Sequence, residues 1–525
     1  MSRFDPVATR IARHPRIASA VLGAVSATGF APLSLWPLAL VCLAIFCALV
    51  ARTERPRAAA WLGWWFGFAH FTVGLNWIAT AFTYQSNMPA ALGWAAVPIL
   101  SVYLAAYPAI GAFAARWLAG PRGGWALALA MAGSWGVTEW LRGWVFTGFA
   151  WNPLGSILLG GYDAPGLAAV LPFTGTYALS ALAMLLGAVL WLLAAKGRWI
   201  PAGLLAGLVT IGMLVPAGEG AQGTTRITIA QPDIRQPTLA DPRFYETNYQ
   251  KLATLSQRRE GTDGLRLVLW PESGMVDYLQ DGYPERYYLR KNWGGSAQLA
   301  RARVAELIGP GSLLLTGSID LALEDGEAVG AYNVVHAIDD AGTIRGTYQK
   351  AHLVPYGEYL ALRWLLEPLG ATRLVPGTLD FFPGPGARTL DLGEFGKVGV
   401  QVCYEIVFSG ETVEDGNRPD FIFNDSNDGW FGRWGPPQHL AQARLRAMEE
   451  GLPVLRATTT GISGIIDARG VLREHLPWQE RGRIDALLPP AHAATPFAQA
   501  GNWLAVGWSL LFMLLAAVVR RRTGG

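Results

Sequence analysis

The stretch Lys397-Val-Gly-Val-Gln-Val-Cys-Tyr-Glu-Ile406 is an apolar run that ends in a cysteine, followed by a tyrosine and a glutamate. Two other stretches also place a reactive side chain at or after a strand-like run: Leu267-Val-Leu-Trp-Pro-Glu-Ser273 carries an acid, and Gly346-Thr-Tyr-Gln-Lys-Ala-His-Leu353 carries a lysine. Short apolar runs bounded by turn signals are typical of buried strands. An acid, an amine and a thiol are groups that covalent acyl chemistry uses. These stretches therefore predict strands with reactive side chains at their ends.

The region from residue 218 to residue 500 mixes strand and helix patterns. Further strands are predicted at Thr225–Pro232, Ser312–Gly317, Asn333–Ile338, Asp420–Asn424 and Val454–Thr458. Helices are predicted at 241–259, 295–308 and 436–451. Strands mixed with helices favour layers in which each sheet buries a face against helices. This region is therefore predicted to be a soluble α/β sandwich domain.

The first part of the chain is nearly free of charge. Residues 17–217 hold eight Lys or Arg and three Asp or Glu, whereas residues 218–500 have ordinary polarity. Apolar segments of about 20 residues can cross a bilayer core. Eight such segments are predicted, at 15–31, 34–51, 59–80, 89–115, 124–142, 165–194, 199–216 and 502–519. Three parts follow: a membrane domain of seven helices over 1–217, a soluble domain over 218–500, and a final membrane helix with a basic tail over 501–525.

Residues 1–31 could also be a cleaved signal peptide. Further apolar segments follow at once, and no clear small-x-small cleavage site is present. We therefore expect residues 15–31 to remain in the protein as its first membrane helix.

Lys and Arg lie almost entirely on one side of the predicted membrane segments. That side holds Arg3, Arg10, Arg13, Arg16, Arg52, Arg55, Arg57, Arg116, Arg122, Lys196, Arg198, Arg520, Arg521 and Arg522. The short loops on the other side hold only Arg142. Positive loops stay in the cytoplasm. We therefore expect both termini in the cytoplasm and residues 218–500 in the periplasm of a Gram-negative cell, with the protein in the inner membrane.

Composition excludes several classes of protein. A net charge of +3, with no basic run that interleaves with aromatics, does not favour nucleic-acid binding. Three cysteines are too few for a disulfide framework, and two of them lie in a predicted membrane segment. No Cys-x-x-Cys, His-Glu-x-x-His or phosphate-cradling glycine motif is present. We therefore expect neither a metal nor a phosphate-binding cofactor loop.

Cys403 is the candidate nucleophile. A free thiol has a pKa of about 8.5 and needs a base or a nearby cation to become a thiolate. The alternative is a buried, inert cysteine, but Glu405 beside it would be costly to bury without a purpose.

Glu272 follows Pro271, which ends its strand, and a carboxylate there could take the thiol proton and return it. The alternative is a capping or surface glutamate.

Lys350 is the candidate oxyanion ligand. The chain has only five lysines among 42 Lys and Arg residues, so a lysine here suggests that a compact point charge matters. It could hold an oxyanion together with a backbone N–H near Tyr404, although a chance surface lysine remains the alternative.

His352 and His439 are alternative candidates for the base, because Cys–His pairs are common nucleophilic arrangements. His352 lies in a strand-like run, however, where it could simply pack.

Several motifs together resemble a known family. Residues 225–490 resemble the nitrilase, or carbon–nitrogen hydrolase, superfamily, whose Glu–Lys–Cys triad falls on Glu272, Lys350 and Cys403. The whole chain is similar to the bacterial apolipoprotein N-acyltransferase family. That similarity is carried by Lys350-Ala-His-Leu-Val-Pro-Tyr-Gly-Glu-Tyr359, Cys403-Tyr-Glu405, Asn424-Asp-Ser-Asn-Asp-Gly-Trp-Phe431 and Thr138-Glu-Trp-Leu-Arg-Gly143. The resemblance implies an αββα sandwich attached to a helical membrane domain of about eight spans.

The resemblance also implies an acyl transfer in two steps. Cys403 would attack an ester of a phospholipid, with phosphatidylethanolamine as the expected donor, and form a thioester. The α-amino group of the S-diacylglyceryl-cysteine of an apolipoprotein would then accept the acyl chain. Glu272 would act as base and then acid, while Lys350 and a backbone N–H would hold the oxyanion. No cofactor is expected.

Other residues receive secondary roles. The resemblance implies support for the triad from Glu358 and Glu405, and we add Tyr404 from its place in the Cys-Tyr-Glu motif. Trp430, Phe431 and Trp434 could form a flexible aromatic loop that shields acyl chains from water, or simply a packed turn.

Two other functions fit parts of the sequence. A membrane-tethered, nitrilase-type amidase would use water as the acceptor, but seven helices are far more than an anchor needs. A transporter with a periplasmic binding domain would place charged or broken helices near the middle of the membrane. The predicted spans are nearly free of charge, so acyl transfer is the favoured function.

Overall fold

A computed structural model describes residues 13–84, 89–121, 123–261, 263–369 and 379–524. Arg3, Arg10 and Arg122, which contribute to the predicted charge asymmetry, lie outside these residues. The chain divides into two compact units. The first comprises residues 1–79, 91–217 and 494–525, and the second comprises residues 80–90 and 218–493.

The helices and strands are as follows. The α-helices are α1 Pro15–Ser26, α2 Trp36–Ala51, α3 Pro56–Gly74, α4 Ile78–Ala81, α5 Ala91–Leu104, α6 Ala106–Ala119, α7 Trp125–Trp144, α8 Leu171–Thr174, α9 Thr176–Ala195, α10 Trp199–Leu214, α11 Gln236–Leu239, α12 Tyr245–Ser256, α13 Glu285–Lys291, α14 Ala297–Ile308, α15 Arg363–Leu366, α16 Gly435–Glu450, α17 Pro496–Ala500 and α18 Asn502–Gly524. The strands are β1 Arg226–Gln231, β2 Arg266–Leu269, β3 Ser312–Glu324, β4 Glu327–Asp339, β5 Ile344–Gln349, β6 Thr389–Asp391, β7 Lys397–Val402, β8 Phe421–Ser426, β9 Val454–Thr458, β10 Ser463–Ile466, β11 Leu472–Leu476 and β12 Gly482–Leu487.

The first unit is helical and holds the candidate membrane spans. Among the described residues, three helical stretches are long and apolar enough to cross a bilayer: Ala91–Ala119, Thr176–Ala195 and Asn502–Arg522. Trp36–Ala51 and Trp199–Leu214 are shorter apolar helices. The helical, apolar character supports a membrane protein, whereas the count of eight spans stays a prediction.

Two predicted spans differ from the observed helices. The span predicted at 89–115 consists of α5 and α6, which meet at Ala105. The span predicted at 165–194 is a continuous helix only from Thr176 onward. Gly175 directly before it has a φ of 72°, a left-handed conformation that interrupts a right-handed helix. A Cβ at this position would lie 2.5 Å from the ring of Phe497, so close packing also favours glycine there.

Glu139 and Arg142 form a buried ion pair near the end of α7, with an N–O distance of 3.5 Å. The Arg142 guanidinium also donates to the backbone oxygens of Phe149 at 2.7 Å and Trp151 at 2.9 Å. Glu139 accepts from the backbone N–H of Leu154 at 2.9 Å. Because buried backbone groups need partners, this pair fastens the loop after α7 to the helix. These contacts give it a structural role.

The second unit contains two six-stranded sheets. Their strand orders are β12-β1-β2-β3-β4-β5 and β11-β10-β9-β8-β7-β6. The two sheets face each other, with contacts from β1 to β9 and from β4 to β7. Helices α12 and α14 pack on the first sheet, and α16 packs on the second. The predicted layered sandwich is therefore observed, with the layer order αββα.

The position of β2 follows from its sequence. All four of its residues are buried, as expected for a parallel strand covered on both faces. Trp270, which follows the strand, is fully buried in the core between β2 and α12, and its indole N–H donates to the Ser256 hydroxyl at 2.7 Å. This anchor fixes the point at which the chain leaves the strand and turns toward Glu272.

Candidate active site

Glu272 lies in the turn that follows β2 and is buried. One carboxylate oxygen accepts from the Asn333 side-chain amide at 2.7 Å, and the other accepts from the backbone N–H of Asn427 at 2.8 Å. The carboxylate also interacts electrostatically with the thiol of Cys403. Burial raises the pKa of Glu272, while the nearby charge of Lys350 opposes that rise. The carboxylate is thus held in place and is more basic than an exposed glutamate.

Lys350 follows β5 and is only 1% exposed. Its ammonium donates to Glu358 at 2.9 Å and lies 3.8 Å from the nearer oxygen of Glu272. Burial by itself would lower the pKa of Lys350, but the carboxylates of Glu358 and Glu272 outweigh it and raise that pKa above its usual value. The site therefore contains a permanent positive charge, shielded from water.

Cys403 begins a 3₁₀ turn, Cys403–Val407, directly after the buried strand β7. Its φ of 50° lies in the left-handed region, which costs a non-glycine residue about 1–3 kcal/mol and persists only where the surrounding structure enforces it. Burial raises the pKa of the thiol well above its usual value, and the charge of Glu272 adds to this, whereas Lys350 opposes it. The protonated form of the thiol is therefore favoured, and the charge of Glu272 acts on it directly.

The structure brings the three predicted side chains together. Glu272 follows β2 and Lys350 follows β5, both in the first sheet, whereas Cys403 follows β7 in the second. The charges of Glu272 and Lys350 both act on the Cys403 thiol, and the carboxylate lies 3.8 Å from the ammonium. This arrangement can deprotonate a sulfur nucleophile and hold a negative charge next to it, which are the two requirements of acyl transfer through a cysteine.

Glu405 connects the lysine segment to the cysteine turn. One of its oxygens accepts from the Tyr348 hydroxyl at 2.9 Å and from the backbone N–H groups of Ala351 at 2.7 Å and His352 at 3.0 Å. Its other oxygen accepts from the N–H of Val402 at 2.8 Å. One buried side chain therefore fixes both the strand end before Cys403 and the segment around Lys350.

Glu358 holds the ammonium of Lys350 in place. Besides Lys350, its carboxylate accepts from the Asn333 amide at 3.2 Å and from the backbone N–H of Val354 at 2.8 Å. Asn333 thus donates to both Glu272 and Glu358. Since Asn333 sits on β4 and Glu358 on the loop after β5, these bonds set the distance between acid and lysine.

Tyr404 and His352 lie in an aromatic cluster beside the turn. The ring of His352 stacks on Phe408, with centroids 3.7 Å apart, and meets the edge of Tyr404 at 5.9 Å. Its Nδ1 lies 3.7 Å from the exposed carboxylate of Glu411. These contacts agree with the interpretation of His352 as a packing residue.

The aromatic residues predicted to bind lipid occupy different environments. Phe431 is buried, and its ring meets the edge of His439 at 5.4 Å. Trp430 and Trp434 are half-buried, and Trp430 meets the edge of Tyr84 at 5.9 Å. Phe431 therefore belongs to a packed turn, whereas the two tryptophans keep part of their surface free.

Three residues of the site were given no role by the sequence analysis, although two of them, Asp425 and Asn427, lie within the quoted motif Asn424–Phe431. Asn333 and Asn427 contact Glu272 from 61 and 155 residues away. Asp425 is fully buried on β8, with no hydrogen-bond partner for either carboxylate oxygen among the described residues. Burial, together with the charge of Glu272, raises its pKa well above the usual value. The neutral, protonated form of Asp425 is therefore favoured.

Comparison with known proteins gives consistent matches. Residues 22–189 match the apolipoprotein N-acyltransferase N-terminal domain, and residues 226–495 match the carbon-nitrogen hydrolase domain. A mutant amidase of the nitrilase superfamily from Nesterenkonia, known from its solved structure, aligns over 52% of this chain and 94% of its own, with 18% identity and a TM-score of 0.33.

Two curated relatives align over nearly the whole length. The apolipoprotein N-acyltransferase of Rhodopseudomonas palustris is 34% identical over 96% of this chain and 94% of its own length. That of Nitrosomonas europaea is 32% identical over 96% of this chain and 98% of its own. With this similarity extending across both the helical unit and the sandwich, the chain belongs to the apolipoprotein N-acyltransferase family.

Proposed function

We propose that this protein transfers a fatty acyl chain from a phospholipid to the N-terminal α-amino group of S-diacylglyceryl-cysteine in lipoproteins, through a thioester on Cys403. The observation that carries the proposal is the buried Cys403 thiol, on which the charges of Glu272 and Lys350 both act, with that carboxylate and ammonium 3.8 Å apart. Relatives named apolipoprotein N-acyltransferase support the choice of substrates. Phosphatidylethanolamine is the proposed donor.

The first half-reaction forms the thioester. Glu272 takes the proton of the Cys403 thiol, and the sulfur attacks the ester carbonyl carbon of the phospholipid. The resulting oxyanion is stabilised by the Lys350 ammonium and by the backbone N–H of Tyr404. When the intermediate collapses, the C–O ester bond breaks and Glu272 returns its proton to the departing alkoxide. Lysophospholipid leaves, and the acyl group stays on sulfur.

The second half-reaction forms the amide. The neutral α-amino group attacks the thioester carbonyl carbon, and Glu272 takes the proton that the nitrogen loses. The same oxyanion ligands stabilise the second tetrahedral intermediate. The C–S bond then breaks, and Glu272 gives the proton to the sulfur, which restores the thiol. One acid–base residue therefore serves both steps, as microscopic reversibility favours.

The neighbouring residues have supporting roles in this proposal. Glu358 holds the ammonium of Lys350, and Glu405 holds the backbone on both sides of the site. Tyr404 supplies the N–H for the oxyanion. The partly exposed faces of Trp430 and Trp434 contact acyl chains, whereas Phe431 packs the turn that carries them.

Labelled phospholipid tests the proposal and separates it from amidase-type hydrolysis. The purified chain in detergent is incubated with phosphatidylethanolamine that carries deuterated acyl chains. We expect intact-protein mass spectrometry to show an acyl adduct that neutral hydroxylamine removes, since hydroxylamine cleaves thioesters. Addition of a diacylated lipopeptide with a free α-amino group should then move the label to the peptide.

The other outcomes are equally clear. Release of the label as free fatty acid, at a rate that the lipopeptide does not change, would favour a hydrolase. The absence of any adduct under conditions that support transfer would exclude the thioester. A lipopeptide with an acetylated α-amino group is the matched control, since it should bind but leave the adduct in place.

We also propose that the protein lies in the inner membrane, with both termini in the cytoplasm and the sandwich in the periplasm. The Lys and Arg asymmetry supports this orientation. Alkaline phosphatase, which needs oxidation to become active, is expected to be active when fused after Gly220 and inactive when fused after Arg522. The reverse pattern of activities would contradict the orientation.

A further inference from the structure

A cluster of charged and polar side chains lies behind the nucleophile, outside the triad. His439, Asp428 and Arg456 are each at most 1% exposed. His439 lies on α16, Asp428 in the turn after β8, and Arg456 on β9. Burying these groups is costly unless they are paired, and none of them takes part in the proposed proton transfers. Their arrangement therefore needs another explanation.

The ring of His439 is held at both nitrogens. Its Nε2 lies 3.0 Å from the backbone oxygen of Cys403. A carbonyl oxygen only accepts, so Nε2 carries a proton in either charge state of the ring. On the other side, Nδ1 lies 2.9 Å from a carboxylate oxygen of Asp428 and 3.0 Å from the guanidinium of Arg456.

Asp428 and Arg456 fix each other as well as the ring. One guanidinium nitrogen of Arg456 donates to both oxygens of Asp428, at 2.8 and 2.7 Å. Burial by itself would raise the pKa of Asp428, but Arg456 and His439 outweigh it and keep that pKa low. Asp428 is therefore ionised, and the three side chains form a bonded unit from which the Nε2–H of His439 donates to the carbonyl of Cys403.

The Nε2–H of His439 fixes the orientation of the peptide plane between Cys403 and Tyr404. The carbonyl of Cys403 and the N–H of Tyr404 belong to one planar peptide group, in which they point in opposite directions. A bond that fixes the carbonyl direction therefore also fixes the N–H direction. Cys403 has a φ of 50°, in a sparsely populated region, so its backbone needs surrounding contacts to keep this conformation.

We propose that His439 is a positioning residue, which holds the Cys403 carbonyl and thereby aims the Tyr404 N–H at the oxyanion, with Asp428 and Arg456 holding the ring. The inference rests on the proposed function, because it requires an oxyanion intermediate. It gives His439 a role other than the general base considered from the sequence, since its Nε2 proton is directed at a backbone oxygen and not at the thiol.

The matched variants are His439→Gln and His439→Asn, in a background with Cys42→Ala and Cys47→Ala so that Cys403 is the single thiol. The longer glutamine side chain can place an N–H near the position of Nε2, whereas asparagine reaches only the Nδ1 position. Both are neutral and polar. Two rates are measured for each: acylation by labelled phospholipid in a single turnover, and alkylation of Cys403 by iodoacetamide, which forms no oxyanion.

We expect His439→Asn to acylate more slowly by about 10²–10³-fold, the usual cost of losing one oxyanion donor, while its alkylation rate stays unchanged. His439→Gln should recover most of the acylation rate. Equal losses in acylation and alkylation would show a purely structural role and overturn the inference. Acylation by His439→Asn at the parental rate would overturn it too.

A second variant covers the case in which His439→Asn does not fold. If His439→Asn does not fold, Asp428→Asn replaces it: a selective loss of acylation supports the inference, and a parallel loss in both rates overturns it. The inference and the proposed function also fail separately. Without an acyl adduct on the parental protein the proposed function fails, whereas a normal adduct with a fully active His439→Asn variant removes only the role of His439.

Discussion

Replacement of Cys403 by alanine is expected to abolish acyl-enzyme formation and acyl transfer. In the proposed mechanism the sulfur is the atom that bonds to the acyl group, whereas Glu272 and Lys350 are fixed by other contacts. The measurement is intact-protein mass spectrometry after incubation with labelled phospholipid, followed by transfer to a diacylated lipopeptide. The expected result is no adduct and no labelled peptide.

Cys42→Ala and Cys47→Ala are the matched controls. Both cysteines are buried in α2 of the helical unit, and the thiol of Cys47 lies 3.7 Å from the sulfur of Met184. Both variants should form the adduct as the parent does. A hydroxylamine-labile acyl group on the Cys403→Ala protein would disprove the assignment of the nucleophile.

The strand ends were the most predictable part of the site. Apolar runs that stop at Pro271 and Cys403 could be read directly, because a buried strand requires continuous apolar side chains and a turn requires different ones. The run before Lys350 is Gly-Thr-Tyr-Gln, which is not apolar, so Lys350 was singled out by its residue type. The layered α/β architecture followed from the same patterns, and it is observed. A strand pattern does not, however, state which strand ends meet. We inferred from chemistry and resemblance that these three side chains lie close together. In the structure they follow β2 and β5 of the first sheet and β7 of the facing second sheet.

The groups that position the triad could not be predicted in the same way. Asn333 and Asn427 act through hydrogen bonds to Glu272, which is 61 and 155 residues away in sequence. Glu405 was expected from the resemblance to support the triad, but its bond to Ala351, 54 residues away, was not. No periodicity encodes such pairs. The helix boundaries in the first unit show a related limit, because hydropathy continues across Gly175 although its backbone conformation interrupts the helix.

Glu272→Gln is expected to slow acylation by about 10²–10⁴-fold, the usual contribution of a general acid–base group. Glutamine has the same shape and still offers an oxygen acceptor, but it cannot take the thiol proton. His352→Ala should retain far more activity, because its ring stacks on Phe408 and faces Glu411. Single-turnover acylation rates of the two variants, at matched thermal stability, make the comparison.

The pH dependence of acylation provides an independent check on the same residue. The base acts only when it is ionised, so acylation should fall as the pH decreases through the pKa of Glu272. Burial raises that pKa, which places the fall at a higher pH than an exposed glutamate would give. In Glu272→Gln this acidic limb should disappear, whereas in His352→Ala it should remain. A folded His352→Ala protein as inactive as Glu272→Gln would instead identify a Cys–His centre, and the Glu272 carboxylate would then serve to orient the thiol and not to deprotonate it.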